Sequence, residues 1–575
     1  MVKAKVRNAK VKIRKLSILL ILTLCLSLLP AAVFAASAAT VTLNPISAIQ
    51  PGGSVTVSGT STLDEVIIQV IRPANSTMFY DIVKVKDGQF SSSFTLASNE
   101  TAGTYAVTAG QADSVATREL VVKASTPVTP TPQPPSGGGG GGGTQPTNTV
   151  TPANVEISPS AITSNKVTGP DGKVTTAVSI DNKFLSDAFV QLKDQGKTDQ
   201  TPVIAIKVGN IDANSTTNVS LPVSVLLEGL KNSNAVIRIY SDKESYSLPL
   251  NVLNFDEIAR SLGTDSSKVT LHLNISVAST DLEKQIQESA GKKGATSLGH
   301  SVDFSIVAEG NGQTKELKDF GTNYVNRSIG LSETVDPRTS TGVLYDPTSH
   351  DISFVPSVFG DNAAGKQQVT IKRNGNSIYG VVSSTKTFDD IQGHWAKSDI
   401  ELLASKLVVS GATDKDFAPD HAITRAEFAS LLVRALALSA DASAASFKDV
   451  QATDWYAGSI GAAVKSKLVS GYEDGTFKPN AQITREQMAV MVAKALSAAG
   501  LTVDSRDELL NKFTDNSQIS DWAKASVAQS VKAGIISGMT DTTFVASVNA
   551  SRAQAVVMLK RLLQYAKFIN QILGN

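Results

Sequence analysis

The last third of the chain contains three copies of one sequence unit. Each copy has, in order, a phenylalanine, a tryptophan, a Ser-Gly pair, a second phenylalanine and a Thr-Arg or Ser-Arg pair. Tryptophan and arginine are 30 residues apart in every copy, and glycine and arginine are 14 apart. The landmarks are Phe388, Trp395, Gly411, Phe417 and Arg425; Phe447, Trp455, Gly471, Phe477 and Arg485; Phe513, Trp522, Gly538, Phe544 and Arg552. Because one such unit cannot bury its apolar face alone, the spacing predicts three supersecondary units that pack on one another.

The first 35 residues have the pattern of an export signal. Seven basic residues precede an apolar run, Leu16 to Leu29, and a small-residue cleavage pattern ends at Ala35. We expect a signal peptide over residues 1–35, with Ala38 as a second cleavage candidate. A retained transmembrane anchor is the alternative, but the run is short for a bilayer span. The single cysteine, Cys25, lies inside the run, so we expect no disulfide or thiolate site in the mature chain.

Charge and hydropathy argue against nucleic acid and membrane as partners of the exported chain. The chain has 53 basic and 52 acidic residues, so loss of the seven basic residues before the apolar run leaves a net charge near −6. That balance argues against nucleic-acid binding, which needs a basic surface. No later stretch is apolar enough to span a bilayer, and no sorting signal is recognisable. We therefore expect the exported chain to leave the membrane and either diffuse away or bind the cell surface.

Residues 40–123 alternate with a period of two and are cut by frequent turn signals. Asp87-Gly88 stands between two alternating runs as a hairpin signal. The strand-like runs begin near Val55, Val66, Ile82, Phe90, Thr104 and Glu119. The pattern predicts an all-β, immunoglobulin-like sandwich that serves as a spacer or adhesive module. A Pro/Gly-rich linker follows over residues 124–150 and predicts domains that need not touch.

Residues 151–386 are predicted to form a β-rich domain of unknown function. Strand-like runs occupy 202–208, 235–240 and 269–273, and two helical stretches occupy 255–262 and 282–289. The runs 369–373 and 377–382 are joined by Asn374-Gly375-Asn376, and this pattern predicts a hairpin that leads into the first repeat.

No catalytic or metal-binding pattern is recognisable. The five histidines show no ligand spacing, and neither HExxH nor GxSxG occurs. We therefore expect no enzyme activity, no cofactor and no metal. Carboxylate pairs for glycoside hydrolysis have arbitrary spacing in sequence, so this chemistry stays open.

Each repeat predicts two helices. The first is expected to open at the tryptophan, with Asp454 as the N-cap in the second copy and Ser520-Asp521 in the third. It is expected to stop at the Ser-Gly pair, where the glycine takes the left-handed cap. The second helix begins at a Thr or Ser followed three residues later by Glu or Gln, which is the capping-box spacing. The boxes are Thr424 with Glu427, Thr484 with Gln487 and Ser551 with Gln554.

Capping does not explain the arginine that follows each Thr or Ser. A cation in the first turn faces the positive end of the helix dipole, at a cost of ~0.3–1 kcal/mol. An anion bound by free backbone N–H groups and the guanidinium together would make the position favourable. An external carboxylate is one candidate, and the arginines would then bind a ligand rather than hold the fold. The other candidates are internal aspartates, Asp389, Asp449 or Asp515.

On these motifs the three units resemble S-layer homology (SLH) domains, with the family's Thr-Arg-Ala-Glu motif intact at 424–427. The repeats span residues 387–446, 447–512 and 513–575. The resemblance implies an all-α, three-repeat bundle in a pseudo-threefold arrangement, with grooves between repeats and turn glycines at Gly411, Gly471 and Gly538. It also implies binding to secondary cell wall polysaccharide, often through a pyruvate ketal whose carboxylate is the anion that the arginine needs.

The resemblance assigns nine residues to polysaccharide binding: Trp395, Arg425, Glu427, Trp455, Arg485, Gln487, Trp522, Arg552 and Gln554. For each tryptophan, stacking on a sugar and ordinary core packing stay equally open. The copies differ, because Pro419 and Pro479 have no counterpart in the third and only the first has Ala-Glu after its arginine. The grooves of the second and third copies are therefore expected to bind more weakly or to serve structure only.

Residues and resemblance together predict a secreted, non-catalytic surface protein, anchored non-covalently to the cell wall and displaying its β domains outward. One alternative is a wall-anchored extracellular enzyme that acts on polysaccharide, with residues 151–386 as its catalytic domain. Another is an adhesin or a subunit that self-assembles in a surface layer. The expected partner is secondary cell wall polysaccharide, with neither nucleic acid nor, after signal cleavage, membrane.

Overall fold

The computed structural model describes residues 40–73, 77–96, 100–111, 114–123, 147–169, 172–196, 200–231 and 234–571. They fall into two compact units that divide between Gly139 and Gly140. The predicted signal peptide and the predicted linker as far as residue 146 lie outside the described residues.

The N-terminal unit, described over parts of 40–123, consists of two antiparallel sheets that share one apolar core. Its strands are β1 (Val41–Leu43), β2 (Ser54–Ser61), β3 (Glu65–Ile71), β4 (Thr77–Lys84), β5 (Gln89–Thr95), β6 (Gly103–Gln111) and β7 (Ser114–Val122). The sheets have the orders β1-β2-β5 and β4-β3-β6-β7. Val57 and Phe90 from one sheet and Ile68 and Val107 from the other are buried in the same cluster. The predicted strands are confirmed, and Asp87-Gly88 forms a tight turn in which both residues have positive φ. The hairpin predicted there is wrong, because β4 and β5 belong to different sheets, and the turn itself is closed by a bridge between Lys86 and Gln89.

The β-rich region, described over parts of 147–386, consists of two large sheets around a second core. One sheet has the path β10-β11-β13-β16-β18-β25-β21-β22, with β17 beside β25 and β19 beside β18; the other has the order β23-β24-β20-β15-β14-β12-β9-β8. Leu271 and Phe304 of the first sheet pack in one cluster with Ile237 and Tyr246 of the second.

The bounds of these elements follow the chain. The strands are β8 (Thr149–Thr151), β9 (Asn154–Glu156), β10 (Ile162–Thr168), β11 (Val174–Ile180), β12 (Val203–Lys207), β13 (Ser215–Pro222), β14 (Val236–Tyr240), β15 (Glu244–Pro249), β16 (Thr270–Val277), β17 (Thr296–Ser297), β18 (Val302–Gly310), β19 (Gln313–Glu316), β20 (Val325–Gly330), β21 (Ser340–Asp346), β22 (Asp351–Phe354), β23 (Ser357–Asp361), β24 (Gln367–Arg373) and β25 (Ser377–Ser383). The helices are α1 (Asn182–Asp194), α2 (Val223–Leu230), α3 (Phe255–Ser261) and α4 (Thr280–Lys292). The three predicted strands and two predicted helices of this region are confirmed.

The hairpin predicted at Asn374-Gly375-Asn376 is wrong. Strand β24 pairs with β20 and β23 in one sheet, whereas β25 pairs with β17, β18 and β21 in the other. Gly375 does not have the positive φ that a tight Asn-Gly turn needs. Asn376 is instead fixed where the chain crosses between sheets, accepting from Tyr246 and donating to the Leu317 carbonyl.

The repeat bundle, residues 387–571, is built from six α-helices joined by extended segments. They are α5 (Lys397–Ser405) and α6 (Arg425–Ala435), α7 (Ala457–Lys465) and α8 (Arg485–Ala498), and α9 (Asp521–Lys532) and α10 (Arg552–Tyr565). Residues of all three repeats form one cluster, which includes Phe428, Met488 and Leu559. The predicted packing of the copies on one another is confirmed.

The predicted N-cap Ser520 is confirmed for α9, but the other predicted ends of the first helices need correction. Helix α7 is capped at Tyr456, while the Asp454 carboxylate accepts from the backbone of Gln451. Residues with positive φ follow the first helices at Leu407, Lys467 and Gly534, well before the Ser-Gly pairs. The glycines of those pairs serve a close approach: a Cβ on Gly411 would meet the Phe388 ring and the Thr413 carbonyl.

Candidate functional site

The three repeats are joined in a closed ring of backbone hydrogen bonds. The amide of Ile423 donates to the carbonyl of Ala550, Ala550 donates to Ile483, and Ile483 donates to Ile423, at 2.9–3.0 Å. The ring links repeat one to three, three to two and two to one. Each second helix, α6, α8 or α10, therefore begins at a contact between two repeats.

The first amides of these helices are already satisfied by the next repeat. The amide of Arg425 donates to Ala481 at 2.9 Å, and the amide of Ala426 donates to Pro479 at 3.0 Å. The same pairs recur at Arg485 with Val548 and at Arg552 with His421. All three capping boxes are confirmed. The expected anion site built on free helix-terminal amides is wrong, because carbonyls of a neighbouring repeat occupy them.

The arginine side chains also reach into the next repeat. Nε of Arg425 donates to the carbonyl of Phe477 at 3.0 Å, and Nη2 donates to that of Ser470 at 3.4 Å. Arg485 binds Phe544 and Ser537 in the same way, and Arg552 binds Phe417 and Ser410. Each guanidinium also lies over the ring of the phenylalanine that it bonds. The arginines hold repeats together, a role that the sequence argument did not give them.

Each guanidinium keeps donors that the described part of the chain does not use. A guanidinium has five N–H donors, and two hydrogen bonds leave three of them without a partner. No described carboxylate forms a salt bridge with Arg425, Arg485 or Arg552. Burial lowers the pKa of all three side chains, yet arginine titrates so far above neutrality that they stay cationic.

The internal aspartates do not pair with the arginines. They accept hydrogen bonds from the turn at the second phenylalanine of each repeat. In repeat two the Asp449 carboxylate accepts from the amides of Phe477 and Lys478, both at 2.8 Å. Asp515 does the same with Phe544 and Val545. In repeat one the residue is Asp390, which accepts from Phe417 and Ala418, so the choice of Asp389 was wrong by one position. These carboxylates fix the carbonyl that the arginine bonds.

All three tryptophans are exposed. The exposed fractions are 64% for Trp395, 69% for Trp455 and 59% for Trp522. Core packing is therefore wrong for them, since a buried indole in this bundle would be nearly inaccessible like Phe417 or Phe477. An exposed indole presents a flat apolar face to solvent.

The first groove, a cavity of about 700 Å³, is lined by all three repeats. Repeat one supplies Arg425, repeat two supplies Tyr472, Lys478, Gln487 and Lys494, and repeat three supplies Trp522. The ring of Tyr472 lies between Arg425, at 5.0 Å, and the Lys478 ammonium, at 4.2 Å. This groove combines three cations and two aromatic rings with the carboxylates of Glu473 and Asp474.

The second groove, a cavity of about 350 Å³, repeats this plan one step around the ring. Arg485 of repeat two and Trp395 of repeat one face Gln554, Met539 and Arg561 of repeat three. In the third groove Arg552 bonds the Ser410 carbonyl, close to Glu427 of repeat one. The cyclic order assigns Trp455 to it. The motif neighbours Arg425 and Glu427 therefore lie in different grooves.

Sequence reasoning missed Tyr472, Lys478 and Lys494. The signal lay in a comparison of the copies, since Tyr472 stands where the other repeats have Ala412 and Met539. Lys494 occupies the place of Arg434 and Arg561, nine residues after the arginine in every copy. In the described residues no helix is long and apolar enough to cross a membrane, and no cluster of ligating side chains could hold a metal.

The three helical repeats, joined in a ring with clefts between them, match one known protein family. The S-layer homology domain model matches residues 387–429, 446–489 and 512–556. The chain thus contains three S-layer homology domains, and these domains and its surface-layer relatives indicate a secreted protein of the cell wall and surface layer.

Curated relatives include both enzymes and surface-layer proteins. An amylopullulanase of Thermoanaerobacterium thermosulfurigenes is 29% identical over 400 residues, 68% of this chain and 19% of that protein. Exoglucanase XynX of Acetivibrio thermocellus is 38% identical over 188 residues, 32% of this chain and 17% of that protein. The surface-layer 125 kDa protein of Lysinibacillus sphaericus is 33% identical over 151 residues, 26% of this chain and 12% of that protein. The chain thus spans less than a fifth of these relatives.

A solved structure, a Salmonella alpha-2-macroglobulin, is 10% identical over 63% of this chain and 22% of its own, with a TM-score of 0.15. A score of that size indicates nothing about this fold.

Proposed function

We propose that the protein is a non-catalytic surface protein held on secondary cell wall polysaccharide by the grooves of its repeat bundle. One observation carries the proposal: a solvent-exposed indole and a cationic guanidinium from different repeats line the same cavity. Indole faces stack on apolar faces of sugar rings, and a guanidinium with unused donors binds a carboxylate in two-point geometry. This pairing suits an acidic glycan better than a neutral one.

The acidic group is proposed to be a sugar-linked pyruvate ketal, and the first groove is its main site. Arg425, Lys478 and Lys494 give this groove three cations beside two carboxylates, Glu473 and Asp474, whereas Arg485 and Arg561 give the smaller second groove two cations and no carboxylate in its lining. In the third groove Glu427 offsets part of the positive charge of Arg552. We choose the first groove as the main site because it is the larger cavity and adds the rings of Tyr472 and Trp522 to its cations, and we rank the third groove as the weakest carboxylate binder.

This ranking differs from the expectation drawn from the sequence, in which the affinity of each groove followed the motif of a single repeat. Each groove takes its arginine from one repeat and its Glu or Gln from the next. The groove of Arg425 therefore contains Gln487, and the intact Ala-Glu of repeat one contributes to the groove of Arg552.

We also propose how the repeats are arranged and which fold type the N-terminal unit has. The cyclic hydrogen bonds of Ile423, Ile483 and Ala550 support a pseudo-threefold arrangement of the repeats. An immunoglobulin-like N-terminal unit is supported by its two sheets and by Tyr105 near the start of β6. The Tyr105 hydroxyl donates to the Thr101 carbonyl at 2.7 Å, as in the tyrosine corner of that fold.

The alternative is a wall-anchored enzyme that acts on polysaccharide, and the names of the relatives favour it. An alignment over 68% of the chain necessarily includes most of the β-rich region, so this region occurs in a protein named amylopullulanase. The alignment covers 19% of that protein, so most of the amylopullulanase lies outside the match, and the match alone does not transfer its activity to this chain. Self-assembly in a surface layer is a third outcome, which ordered sheets in electron micrographs would support.

The proposal is tested by co-sedimentation of the full mature chain with purified cell wall. The matched pair is native wall and wall from which the ketal has been removed by mild acid. Strong sedimentation with the first only supports the proposal, and equal sedimentation with both refutes an acidic ligand. Release of reducing ends from wall glycan or starch by the same preparation would decide for the enzyme.

A further inference from the structure

Helix α6 carries the wall of the third groove, and this wall is unlike the other two. Gln487, Val490 and Lys494 of α8 line the first groove, and Gln554, Val557 and Arg561 of α10 line the second. The equivalent positions on α6 are Glu427, Ser430 and Arg434. They are three and four residues apart, so they share one face of the helix.

Two of these residues also line a second cavity, the junction cleft. Ser430 and Arg434 form part of one wall, and the opposite wall comes from the β21–β22 hairpin of the β-rich region, with Ser349, Asp351 and Ser353. The cleft has a volume of about 600 Å³, within the range of small-molecule sites. Because Ser430 and Arg434 share the face of α6 that carries Glu427, the junction cleft adjoins the position of the third groove.

The cleft is polar, and its cations, Lys318, Arg373 and Arg434, are nearly balanced by the carboxylates of Asp346 and Asp351. Arg434 donates to the Val408 carbonyl, and Arg373 donates to Ser439 and to the Ala437 carbonyl. Asp351 pairs with Lys293 at 2.9 Å. The lining therefore offers hydroxyl groups and carries no strong net field for an ion.

One hydroxyl in this lining has no partner. Ser430 is only 7% exposed, and its Oγ makes no hydrogen bond in the described part of the chain. Repeats two and three have valine at this position, so a hydroxyl is not needed for packing. A buried polar group without a partner costs free energy, which a ligand would recover.

The β-rich wall of the cleft is held firmly on the repeat bundle. Tyr324 donates to the Leu436 carbonyl at 2.8 Å, and the ammonium of Lys406 donates to the Ser340 carbonyl at 2.9 Å. At the other end the amide of Ser357 donates to Phe568 at 2.7 Å. A wall fixed at several points is preorganised for binding.

We propose that the junction cleft is a subsite for neutral, hydroxyl-rich sugar residues of the glycan whose acidic residues occupy the grooves. The inference rests on the proposed function of the grooves and adds a role for the β-rich region. The glycan enters at Arg552, passes along α6 and ends between α6 and β22. Neutral sugars fit because the cleft offers hydroxyls together with cations and carboxylates in near balance.

The test compares binding of a long wall-glycan fragment and of a ketal-bearing disaccharide to the full mature chain by calorimetry. Ser353, exposed on β22, is changed to Phe to fill the cleft, and Thr314→Phe on β19 is the matched control. We expect Ser353→Phe to weaken the long fragment about tenfold and to leave the disaccharide unchanged. Ser430→Val, which installs the residue of the other repeats, is expected to weaken the long fragment about threefold to tenfold with no loss of thermal stability.

Unchanged affinity of both variants for the long fragment would overturn the inference, and the groove account would stand if Arg425→Ala still lost affinity. An equal loss of affinity for both ligands in Ser353→Phe would also overturn it, because the cleft is proposed to bind only the part of the glycan beyond the acidic disaccharide. If the unmodified chain binds neither ligand, the proposed function itself fails.

Discussion

Arg425 and Phe477 are joined across two repeats by a hydrogen bond and by stacking. Nε of the arginine donates to the phenylalanine carbonyl at 3.0 Å, and the guanidinium carbon lies 4.9 Å from the centre of the ring. The same residue lines the first groove with unused N–H donors. One side chain thus links the assembly of the repeats to the surface proposed to bind the wall.

We expect Arg425→Ala to lower both stability and affinity. Loss of the buried hydrogen bonds leaves the Phe477 carbonyl unpaired, at a cost of ~1–3 kcal/mol in the free energy of unfolding. Loss of a charge-assisted contact weakens wall binding per folded molecule by ~1.5–3 kcal/mol, roughly ten- to a hundredfold. Denaturant unfolding and calorimetry measure the two effects. Arg506→Ala is the control because Arg506 is exposed, and an unchanged stability of Arg425→Ala would contradict the linking role.

The composite groove predicts which pairs of substitutions are coupled. Arg425 and Trp522 line one groove, whereas Trp395 lines another. Double-mutant cycles on wall binding should therefore give a coupling energy of ~0.5–3 kcal/mol for Arg425 with Trp522 and a value near zero for Arg425 with Trp395. Each Trp→Ala change should alter the free energy of unfolding by less than ~0.5 kcal/mol, since the indoles are exposed. The opposite pattern of coupling would show that the grooves are divided differently.

Two neighbouring aspartates offer a matched test of the turn. Asp390 accepts from the amides of Phe417 and Ala418, whereas no side-chain hydrogen bond of Asp389 occurs in the described residues. Asp390→Ala should destabilise the protein by ~1–3 kcal/mol, because two amides lose a charged acceptor. Asp389→Ala should have almost no effect in the same denaturant titration. Equal effects of the two changes would contradict the assignment.

Lys406 predicts a pH dependence of stability. Burial lowers the pKa of its ammonium from 10.5 to about 8, against a smaller opposing effect of Asp336. Between these values the unfolded chain binds more protons at this position than the folded chain, so this group's contribution to stability rises with pH. Relative to Lys406→Met, the parent should gain ~1–3 kcal/mol between pH 8 and pH 10.5. A constant difference across that window in parallel unfolding curves would argue against a buried ammonium.

Repetition made the bundle predictable from sequence. Three copies at fixed spacing exposed the capping boxes, and the local chemistry of Thr424 with Glu427 needs no tertiary information. The strands of the N-terminal unit were also predictable, because alternation and the Asp87-Gly88 turn are local signals.

The errors arose where a distant partner decides the structure. The amides of Arg425 and Ala426 looked free because their acceptors, Ala481 and Pro479, lie more than fifty residues away. Asn374-Gly375-Asn376 looked like a hairpin turn, although Asn376 is held by Tyr246 and Arg327 from other strands. Single motifs could not predict which residues share a groove, since the first and second grooves each combine residues of three repeats.

The central claim is that the grooves bind an acidic group on the wall glycan. Calorimetry of the full mature chain with wall polysaccharide, before and after removal of its pyruvate ketals, tests it most directly. We predict saturable binding to the intact polymer and at least a tenfold loss after removal, with Arg425→Ala showing a smaller difference between the two polymers. Equal affinity of the unmodified chain for both polymers would contradict the account.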